Sequence, residues 1–289
     1  MIFSSTMRKG LILEGGALRG LFTAGVMDVM MENGIEFDGL IGVSAGAAFG
    51  CNYKSRQPRR VIRYNKRYAH DWRYCSVRSL LKTGDIFGAE FDYHTLPDKL
   101  DKFDVVTFDE SPMEFYAVCT DLTTGEPVYK LLMHHGYEFN EWIRASASMP
   151  LASRVVEVEG RKLLDGGISD SIPLRFFEQQ GYDRNVVVLT QPLGFVKKPN
   201  PMMPLIRLQL HRYPQFLKAA AKRHVMYNNE TEYVLQREKA GKVFVIRPES
   251  VLPIKHITHD PALMQKVYED GRKAILSRLA ELKAFLSES

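Results

Sequence analysis

The sequence predicts an α/β protein with a mostly parallel central sheet and helices on both faces. Short apolar runs, typical of buried strands, alternate along the chain with longer segments whose apolar residues recur at helical spacing. Two glycine-rich loops each follow a predicted strand and precede a predicted helix. The 289 residues, 45% hydrophobic and 25% charged, fit one large domain, or two small ones at most, and this balance excludes wholesale disorder.

The predicted elements begin with a strand over Gly10–Leu13, because its apolar run ends in Glu14 and a glycine pair. Apolar residues at helical spacing predict a helix over Arg19–Met31. A second strand follows over Ile35–Val43, and the small apolar residues of Ala45–Asn52 predict a closely packed helix. The later predicted strands are Glu114–Thr120, Val128–Leu132, Val155–Val158, Lys162–Leu164, Asn185–Thr190 and Lys242–Arg247, and the later helices are Phe139–Ser148, Pro173–Gln180, Gln215–Glu238 and Pro261–Leu286.

Several classes of protein are disfavoured by the same sequence. No window approaches about twenty consecutive apolar residues, so we expect no transmembrane helix. The N-terminal residues place charge before an apolar run that breaks at Glu14, with no small-residue cleavage site, so we expect no secretory signal. Cys51, Cys75 and Cys119 lack metal-ligand spacing and indicate reduced thiols in a cytoplasmic protein.

Charge is unevenly distributed, although a net charge of +5 is too weak to indicate nucleic acid. No acidic residue lies between Asp38 and Asp71, or from Arg184 to Asn229. One interpretation is a pair of helices with solvated basic faces. The other is a surface that meets anionic lipid, because bases alternate with apolar residues in the second stretch. Within it, Pro192–Pro204 is the best candidate for a boundary or mobile loop. The bases are Lys54, Arg56, Arg59, Arg60, Arg63, Lys66 and Arg67, then Lys197, Lys198, Arg207, Arg212, Lys218, Lys222 and Arg223.

Gly42–Gly46 has the pattern G-x-S-x-G between a predicted strand and a small-residue helix, which is the setting of a nucleophile elbow. Ser44 must then stand on a sharp turn where bulky neighbours would clash, and the flanking glycines relieve that crowding. The following helix directs its positive N-terminus at Ser44, which favours negative charge developing there.

The loop Gly15–Gly20 follows the first strand and precedes a helix, so several of its backbone N–H groups converge on one point. It could hold a phosphate or the oxyanion of a tetrahedral intermediate. Leu21 follows where a Walker loop needs Lys and Ser or Thr, so that interpretation fails. A dinucleotide loop survives weakly, with Ala17 in place of a glycine and Glu36 or Asp38 as the ribose acid. A purely structural turn is the simpler alternative.

Asp165-Gly166-Gly167 follows a predicted strand. A hairpin turn is its simplest interpretation, and a carboxylate held at a strand end is the functional one. Taken together, the glycine loop, the Ser44 motif and the Asp165 block resemble the patatin-like phospholipases over roughly Leu11–Pro173. Ala145–Pro150 resembles a further segment of that family.

The resemblance implies a patatin-like three-layer α/β/α sandwich with a mostly parallel central sheet. It implies a single domain over 1–289, with a motif-bearing core over about 8–195 and a mainly helical C-terminal portion over about 196–289. It also implies a Ser–Asp dyad, whose nucleophile falls on Ser44 and whose aspartate falls on Asp165. The oxyanion loop falls on Gly15, Gly16 and Ala17, and the basic position of that motif falls on Arg19.

One position departs from the family pattern. Ala17 stands where the family usually has a third glycine. Its N–H survives the change, but a positive φ there would be strained. The departure concerns the geometry of the oxyanion loop and leaves the dyad unaffected.

The implied activity is that of a lipid acyl hydrolase, of phospholipase A or lysophospholipase type, working through an acyl-Ser44 intermediate. Asp165 would take the Ser44 proton as the hydroxyl attacks an ester carbonyl. We expect a lipid or small ester substrate, no metal or organic cofactor and no nucleic-acid partner. The expected location is the cytoplasm, with peripheral contact to anionic membrane at its inner face as a further hypothesis.

Three other functions remain open. An α/β-hydrolase triad would join Ser44 and Asp165 to His256 or His259. An acyltransferase would use the same acyl-Ser44, and a lipid-binding module would keep the fold without catalysis. His256 and His259 could also form a metal pair, but no third ligand lies nearby in sequence, and surface histidines are the simpler explanation.

Overall fold

The central sheet has eight strands, which a computed structural model describes within residues 7–287. Residues 1–6, on which part of the expectation about a secretory signal depends, and residues 288–289 lie outside the described residues. The strands are β1 (Arg8–Leu13), β2 (Gly39–Val43), β3 (Glu114–Asp121), β4 (Pro127–Leu131), β5 (Val156–Val158), β6 (Arg161–Asp165), β7 (Tyr182–Val188) and β8 (Val243–Ile246).

Helices connect and cover these strands. A π-helix over Phe91–Leu100 and two single turns, Ala17–Arg19 and Gly166–Ile168, complete the regular structure. The α-helices are α1 (Gly20–Glu32), α2 (Ala45–Lys54), α3 (Arg60–Arg67), α4 (Val77–Thr83), α5 (Val105–Glu110), α6 (Tyr137–Ser146), α7 (Leu174–Gln179), α8 (Met203–Gln209), α9 (Pro214–Lys239), α10 (Pro261–Leu276) and α11 (Leu279–Ser287).

The sheet is mixed but mostly parallel, as predicted. Its order is β5-β6-β3-β2-β1-β7-β8, with β4 also paired to β3. The five strands from β3 to β8 in that order run parallel to one another. The antiparallel pairs are β3–β4, β3–β6 and β5–β6, with β4 on one edge of β3 and β6 on the other edge, which β2 also occupies.

Alternate residues of the parallel strands enter separate cores on the two faces of the sheet. On β1, Leu11 and Leu13 pack into a core with α1, α2, α6 and α10, whereas Ile12 packs into a core with α7 and α9. This alternation follows from the two-residue period of a strand. A third core, which includes Leu164 and Phe216, packs β6 against α8 and α9. The α/β fold with helices on both faces is therefore confirmed.

The structure corrects some element boundaries. The second strand begins at Gly39 and not at Ile35. Ile35 and Phe37 are apolar and buried, as strand residues would be, but they lie in the connection that leads to β2. The predicted C-terminal helix is two helices, and Arg278 between them donates a 2.8 Å hydrogen bond to the Val245 carbonyl. Helices α3, α4, α5 and α8 and the π-helix were not predicted individually, since segments this short show little periodicity.

Within residues 7–287, no helix is both long enough and apolar enough to cross a bilayer. The segment after β7 is mainly helical but also contributes β8, which pairs in parallel with β7. The division of the chain near residue 195 remains a prediction.

Candidate active site

Ser44 lies on a sharp turn between β2 and α2. Its φ of 56° lies in the left-handed region that non-glycine residues rarely adopt. The turn forces α2 close to β1, because a Cβ on Gly46 would lie 2.4 Å from the Leu13 carbonyl oxygen. The strained turn and the close helix are the local geometry that the Gly42–Gly46 motif predicts.

Two strands meet end to end beside this turn. Thr120 of β3 pairs with Pro127 of β4 and with Leu164 of β6, so β4 and β6 lie on opposite edges of β3. Along the earlier residues of β3, strand β2 occupies the edge of β3 that is opposite the edge paired with β4. Strands β2 and β6 therefore share one edge of β3 and approach each other from opposite directions.

Their meeting point brings Ser44 to Asp165. Val43, the last residue of β2, pairs with Val118, and Asp165, the last residue of β6, pairs with the next residue, Cys119. Both side chains line the same cavity at this junction, and the Ser44 hydroxyl is close enough to the Asp165 carboxylate to oppose the effect of burial on its pKa. Ser44 is 8% exposed and Asp165 is 4% exposed, so the contact is largely shielded from water.

Asp165 is held by backbone groups around it. Its Oδ1 accepts a 2.8 Å hydrogen bond from the Gly167 N–H, and its own N–H donates to the Ser148 carbonyl at 2.8 Å. Burial raises the pKa of Asp165, against the opposing effects of Arg223, the Ser44 hydroxyl and the Gly167 N–H. A raised pKa makes this carboxylate a stronger base than an ordinary aspartate.

Ser146, at the C-terminal end of α6, fixes the Ser44 backbone. Its Oγ accepts a 2.9 Å hydrogen bond from the Ser44 N–H and donates a 2.6 Å bond to the Val118 carbonyl. The Ser44 N–H is therefore already engaged. This role belongs to the Ala145–Pro150 segment, which the sequence marks only through its resemblance to a family segment.

The glycine loop passes directly over Ser44. A Cβ on Gly15 would lie 2.9 Å from the Ser44 Cβ, so only glycine fits at this crossing. No hydrogen bond among residues 7–287 engages the N–H groups of Gly15, Gly16 or Ala17. Ala17 has a φ of 48°, so the strain expected from its substitution for glycine is present.

Glu14, buried immediately before this loop, connects it to the C-terminal half of the chain. Its carboxylate accepts a 2.6 Å hydrogen bond from the Thr190 N–H and a 2.8 Å bond from the Tyr227 hydroxyl. Thr190 also donates from its hydroxyl to the Gly15 carbonyl at 3.1 Å. The loop position therefore depends on β7 and α9 as well as on β1.

Arg19 lies beside the glycine loop, next to His256. Its Nη1 lies 3.1 Å from the His256 Nε2, while its buried Nε has no hydrogen-bond partner among the described residues. Partial burial and the neighbouring cations lower the pKa of His256 to about 4. The ring is therefore neutral at physiological pH and can accept the Arg19 hydrogen bond.

Ser44 lines two cavities of different character. One, of about 110 Å³, has a mostly apolar lining that includes Phe49, Phe103, Phe139 and Ile143. The other, of about 480 Å³, contains Asp165, the glycine loop and several basic side chains. The hydroxyl thus lies at the junction of an apolar and a polar compartment.

The polar cavity contains basic residues that were not predicted as site residues. Lys197 follows β7, and Arg223 on α9 donates a 2.6 Å hydrogen bond from Nε to the Gly167 carbonyl. Glu230, also on α9, accepts 3.1 Å hydrogen bonds from the N–H groups of Ser171 and Ile172. The acid-free stretch containing Lys197 and Arg223 was visible in the sequence, but nothing local connected it with Ser44.

The histidines considered in the alternatives occupy different places. His256 lies at the edge of the polar cavity beside Arg19, whereas the His259 Nδ1 lies 2.6 Å from the Ala69 carbonyl oxygen. No hydrogen bond among residues 7–287 joins either ring to Asp165. In the same part of the chain, no group of three or more potential ligands has metal-binding geometry.

Two family models match separate parts of the chain. The model described as patatin-like phospholipase matches residues 11–177, which include the glycine loop, Ser44 and Asp165. A model described as a domain of unknown function, DUF6363, matches residues 213–287, which include Arg223 and His256. The polar cavity is therefore built from both matched segments.

Similar proteins are found in bacteria and fungi. The uncharacterized protein YjjU of Escherichia coli is 32% identical over 224 residues, which cover 71% of this chain and 61% of YjjU. An uncharacterized NTE family protein of Mycobacterium tuberculosis is 30% identical over 178 residues, covering 59% of this chain and 46% of that protein. The lysophospholipase nte1 of Aspergillus oryzae is 28% identical over 203 residues, which cover 66% of this chain and 12% of the fungal protein.

The alignments thus cover less than two thirds of each of these relatives. Among solved structures, VipD from Legionella pneumophila matches with a TM-score of 0.50 and 13% identity, covering 96% of this chain and 67% of VipD. At that identity the likeness concerns the fold alone.

Proposed function

This chain belongs to the patatin-like phospholipase family, and on that premise we propose that it is a lipid acyl hydrolase that uses a Ser44–Asp165 dyad. The proposed substrates are carboxylic esters of phospholipids or lysophospholipids. Similarity to the fungal lysophospholipases named nte1 supports this substrate class. The proposal rests above all on one observation: the strand register brings Ser44 and the buried Asp165 together where β2 and β6 meet, and both side chains line one cavity with the glycine loop.

In the proposed first step, the Ser44 Oγ attacks the ester carbonyl carbon while Asp165 accepts the hydroxyl proton. The raised pKa of Asp165 favours this transfer, because an ordinary carboxylate is a weak base towards a serine hydroxyl. Asp165 then returns the proton to the departing alcohol as the tetrahedral intermediate collapses to acyl-Ser44. Water repeats the sequence and releases the fatty acid.

The oxyanion of each tetrahedral intermediate needs preorganised donors. The unengaged N–H groups of Gly15, Gly16 and Ala17 meet this need, since their loop crosses directly over Ser44. The Ser44 N–H is not available, because Ser146 accepts its hydrogen bond. Loss of one such donor typically lowers the rate by about 10²–10³.

We further propose that the polar cavity opens towards an anionic membrane surface. Lys198 lines the cavity and is exposed, and the exposed Met202 and Leu205 adjoin the lining residues Pro201 and Ile206 in the chain. Apolar side chains beside lysine and arginine are typical of surfaces that lie on anionic lipid. We call this the mouth surface, and it comprises Leu193, Val196, Lys198, Met202, Leu205, Arg207, Leu208 and Arg212.

The central test compares three proteins on a chromogenic acyl ester and on a phospholipid. Ser44→Ala removes the nucleophile and Asp165→Asn removes the base, so we expect kcat to fall at least about 10²–10⁴-fold in each. A fluorophosphonate probe should label the wild type and leave Ser44→Ala unlabelled.

Ser277→Ala is the matched control, because Ser277 caps the C-terminus of α10 outside both cavities. It should retain wild-type turnover and labelling. Circular dichroism should show that all variants are folded. Undiminished hydrolysis by folded Ser44→Ala or Asp165→Asn would refute the dyad.

A further inference from the structure

Three cations converge on the polar cavity from distant parts of the chain. Arg19 follows the glycine loop, Lys197 follows β7, and Arg223 lies on α9, yet all three line the same cavity as Ser44. They are close enough that Arg19 and Arg223 act together with burial to lower the pKa of Lys197 to about 8. We call this set the basic wall.

The basic wall is not ion-paired, although the Lys197 Nζ lies 4.1 Å from the centre of the Tyr227 ring. None of its three members forms an ion pair with a carboxylate within 4.0 Å in residues 7–287. Glu14 and Asp165 are the carboxylates of the cavity lining, and both already accept hydrogen bonds from other groups. The buried Arg19 Nε also has no partner among the described residues. An anion entering the cavity would therefore meet positive charge that no carboxylate pairs with.

The position of Ser44 separates the two halves of an ester substrate. When the ester carbonyl lies at Ser44, an acyl chain in the apolar cavity leaves the alcohol portion facing the polar cavity. The basic wall then faces the leaving alcohol. Phosphate is the anion that the alcohol portion of a phospholipid carries, and arginine binds it in a bidentate manner.

We propose, on the basis of the function proposed above, that Arg19, Lys197 and Arg223 form a subsite for a phosphate on the alcohol portion of the ester substrate. The subsite selects phosphate-bearing lipid esters over neutral ones. Because Lys197 and Arg223 lie beyond the patatin-like match, and Arg223 lies within residues 213–287, the C-terminal segment acts here as a specificity element of the active site.

The kinetic test compares two substrates with the same acyl chain, a lysophosphatidylglycerol and a neutral monoacylglycerol. The wild type should prefer the phosphate ester in kcat/KM. In Lys197→Met the ratio of the two kcat/KM values should fall about tenfold, mainly through the KM of the phosphate ester, because a charge-assisted contact is lost. Arg223→Gln should lower the same ratio.

Lys222→Met is the matched control, since Lys222 neighbours Arg223 on α9 but is exposed and outside the cavity lining. Its substrate ratio should equal that of the wild type. The subsite would be overturned if Lys197→Met and Arg223→Gln lost kcat/KM equally on both esters. It would also be overturned if the wild type had equal kcat/KM values for the phosphate ester and the neutral ester.

A binding experiment separates this proposal from the hydrolase proposal. Ser44→Ala protein, which cannot form the acyl intermediate, is titrated calorimetrically with glycerol 3-phosphate and with inorganic phosphate, with and without Lys197→Met. Binding of glycerol 3-phosphate that is tighter than that of inorganic phosphate, and that Lys197→Met weakens, supports the subsite even if no ester is hydrolysed. Absent binding, or equal affinity for the two anions, would overturn it, whereas turnover that survives in Ser44→Ala would count against the dyad alone.

Discussion

Two residues at the candidate site, Ala17 and Ser44, adopt positive φ although neither is glycine. At Ser44 the strain accompanies the placement of a hydroxyl on a tight turn between two cavities, which is the geometry of a nucleophile elbow. At Ala17 the side chain contributes no such group, and the loop N–H would be equally available from glycine. The strain at Ala17 is therefore an isolated cost in local stability.

Ala17→Gly should consequently be tolerated unusually well. Relief of left-handed strain, worth about 1–2 kcal/mol, offsets the flexibility that glycine adds to the unfolded chain. We expect the free energy of unfolding to stay constant or rise by up to about 1 kcal/mol, as measured by urea denaturation. Ala221→Gly, within α9, is the control and should lose about 1 kcal/mol. A comparable loss in Ala17→Gly would show that the loop is not strained.

At the scale of elements, buried polar contacts connect helices that are distant in sequence. Asp28 of α1 is 2% exposed, and its Oδ2 accepts a 2.7 Å hydrogen bond from the Tyr268 hydroxyl of α10 and a 2.8 Å bond from the Arg59 N–H. Burial is the main cause that raises the pKa of Asp28 to about 6, from the ordinary aspartate value of 3.8. The ion pair between Glu32 and Arg272 lies nearby.

This shift makes the packing of α1 against α10 dependent on pH. The folded-state pKa of Asp28 lies above its unfolded-state pKa. The stabilising contribution of Asp28 to the free energy of unfolding is therefore fully present below about pH 4 and is lost as pH rises through about 6. A shift of this size corresponds to about 3 kcal/mol. Asp28→Asn keeps the acceptor oxygen for both donors and removes the buried charge.

We therefore expect Asp28→Asn to be more stable than the wild type at pH 8, by up to about 3 kcal/mol, with the gain vanishing near pH 4. Urea unfolding at a series of pH values measures this difference. Asp270→Asn, which removes a partly exposed carboxylate on α10, should show no such dependence. A pH-independent difference between Asp28→Asn and the wild type would contradict the linkage.

At the scale of the whole molecule, the polar cavity and the mouth surface lie on the side of the sheet that carries α8 and α9. Exposed Leu205 and Leu208 lie on α8, and Arg207 lies between them. Charge attraction to anionic lipid is screened by salt, whereas insertion of leucine is not. Membrane association should therefore have both a salt-dependent and an apolar component.

Sedimentation with vesicles tests this surface. We expect binding to phosphatidylglycerol-containing vesicles to exceed binding to phosphatidylcholine vesicles, and to weaken between about 50 and 500 mM salt. The double variant Leu205→Glu, Leu208→Glu should lose most of this binding. Leu276→Glu changes an exposed leucine on α10, in the opposite helical layer, and should bind as the wild type does. An equal loss of vesicle binding in the double variant and in Leu276→Glu would contradict the proposed role of the mouth surface in membrane association.

Much of the local structure could be predicted from the sequence, because it depends on neighbours in the chain. The glycines around Ser44 predict a strained turn, and apolar runs predict strands whose alternate residues face different cores. The loop Gly15–Ala17 and the Asp165 block were likewise recognisable as strand-end loops. The short helices between α2 and β3 could not be recognised, since they are held by packing and not by a readable period.

The sequence by itself determined which residues occupy special local conformations, and it concentrated positive charge in an acid-free stretch. Only the tertiary structure decided that Ser44 and Asp165 meet, because this depends on β2 and β6 sharing one edge of β3. The same holds for Lys197 and Arg223, which reach the cavity because the chain returns through β7 and α9. Such long-range neighbours follow from strand pairing and core packing over the whole chain, which no local pattern of residues records.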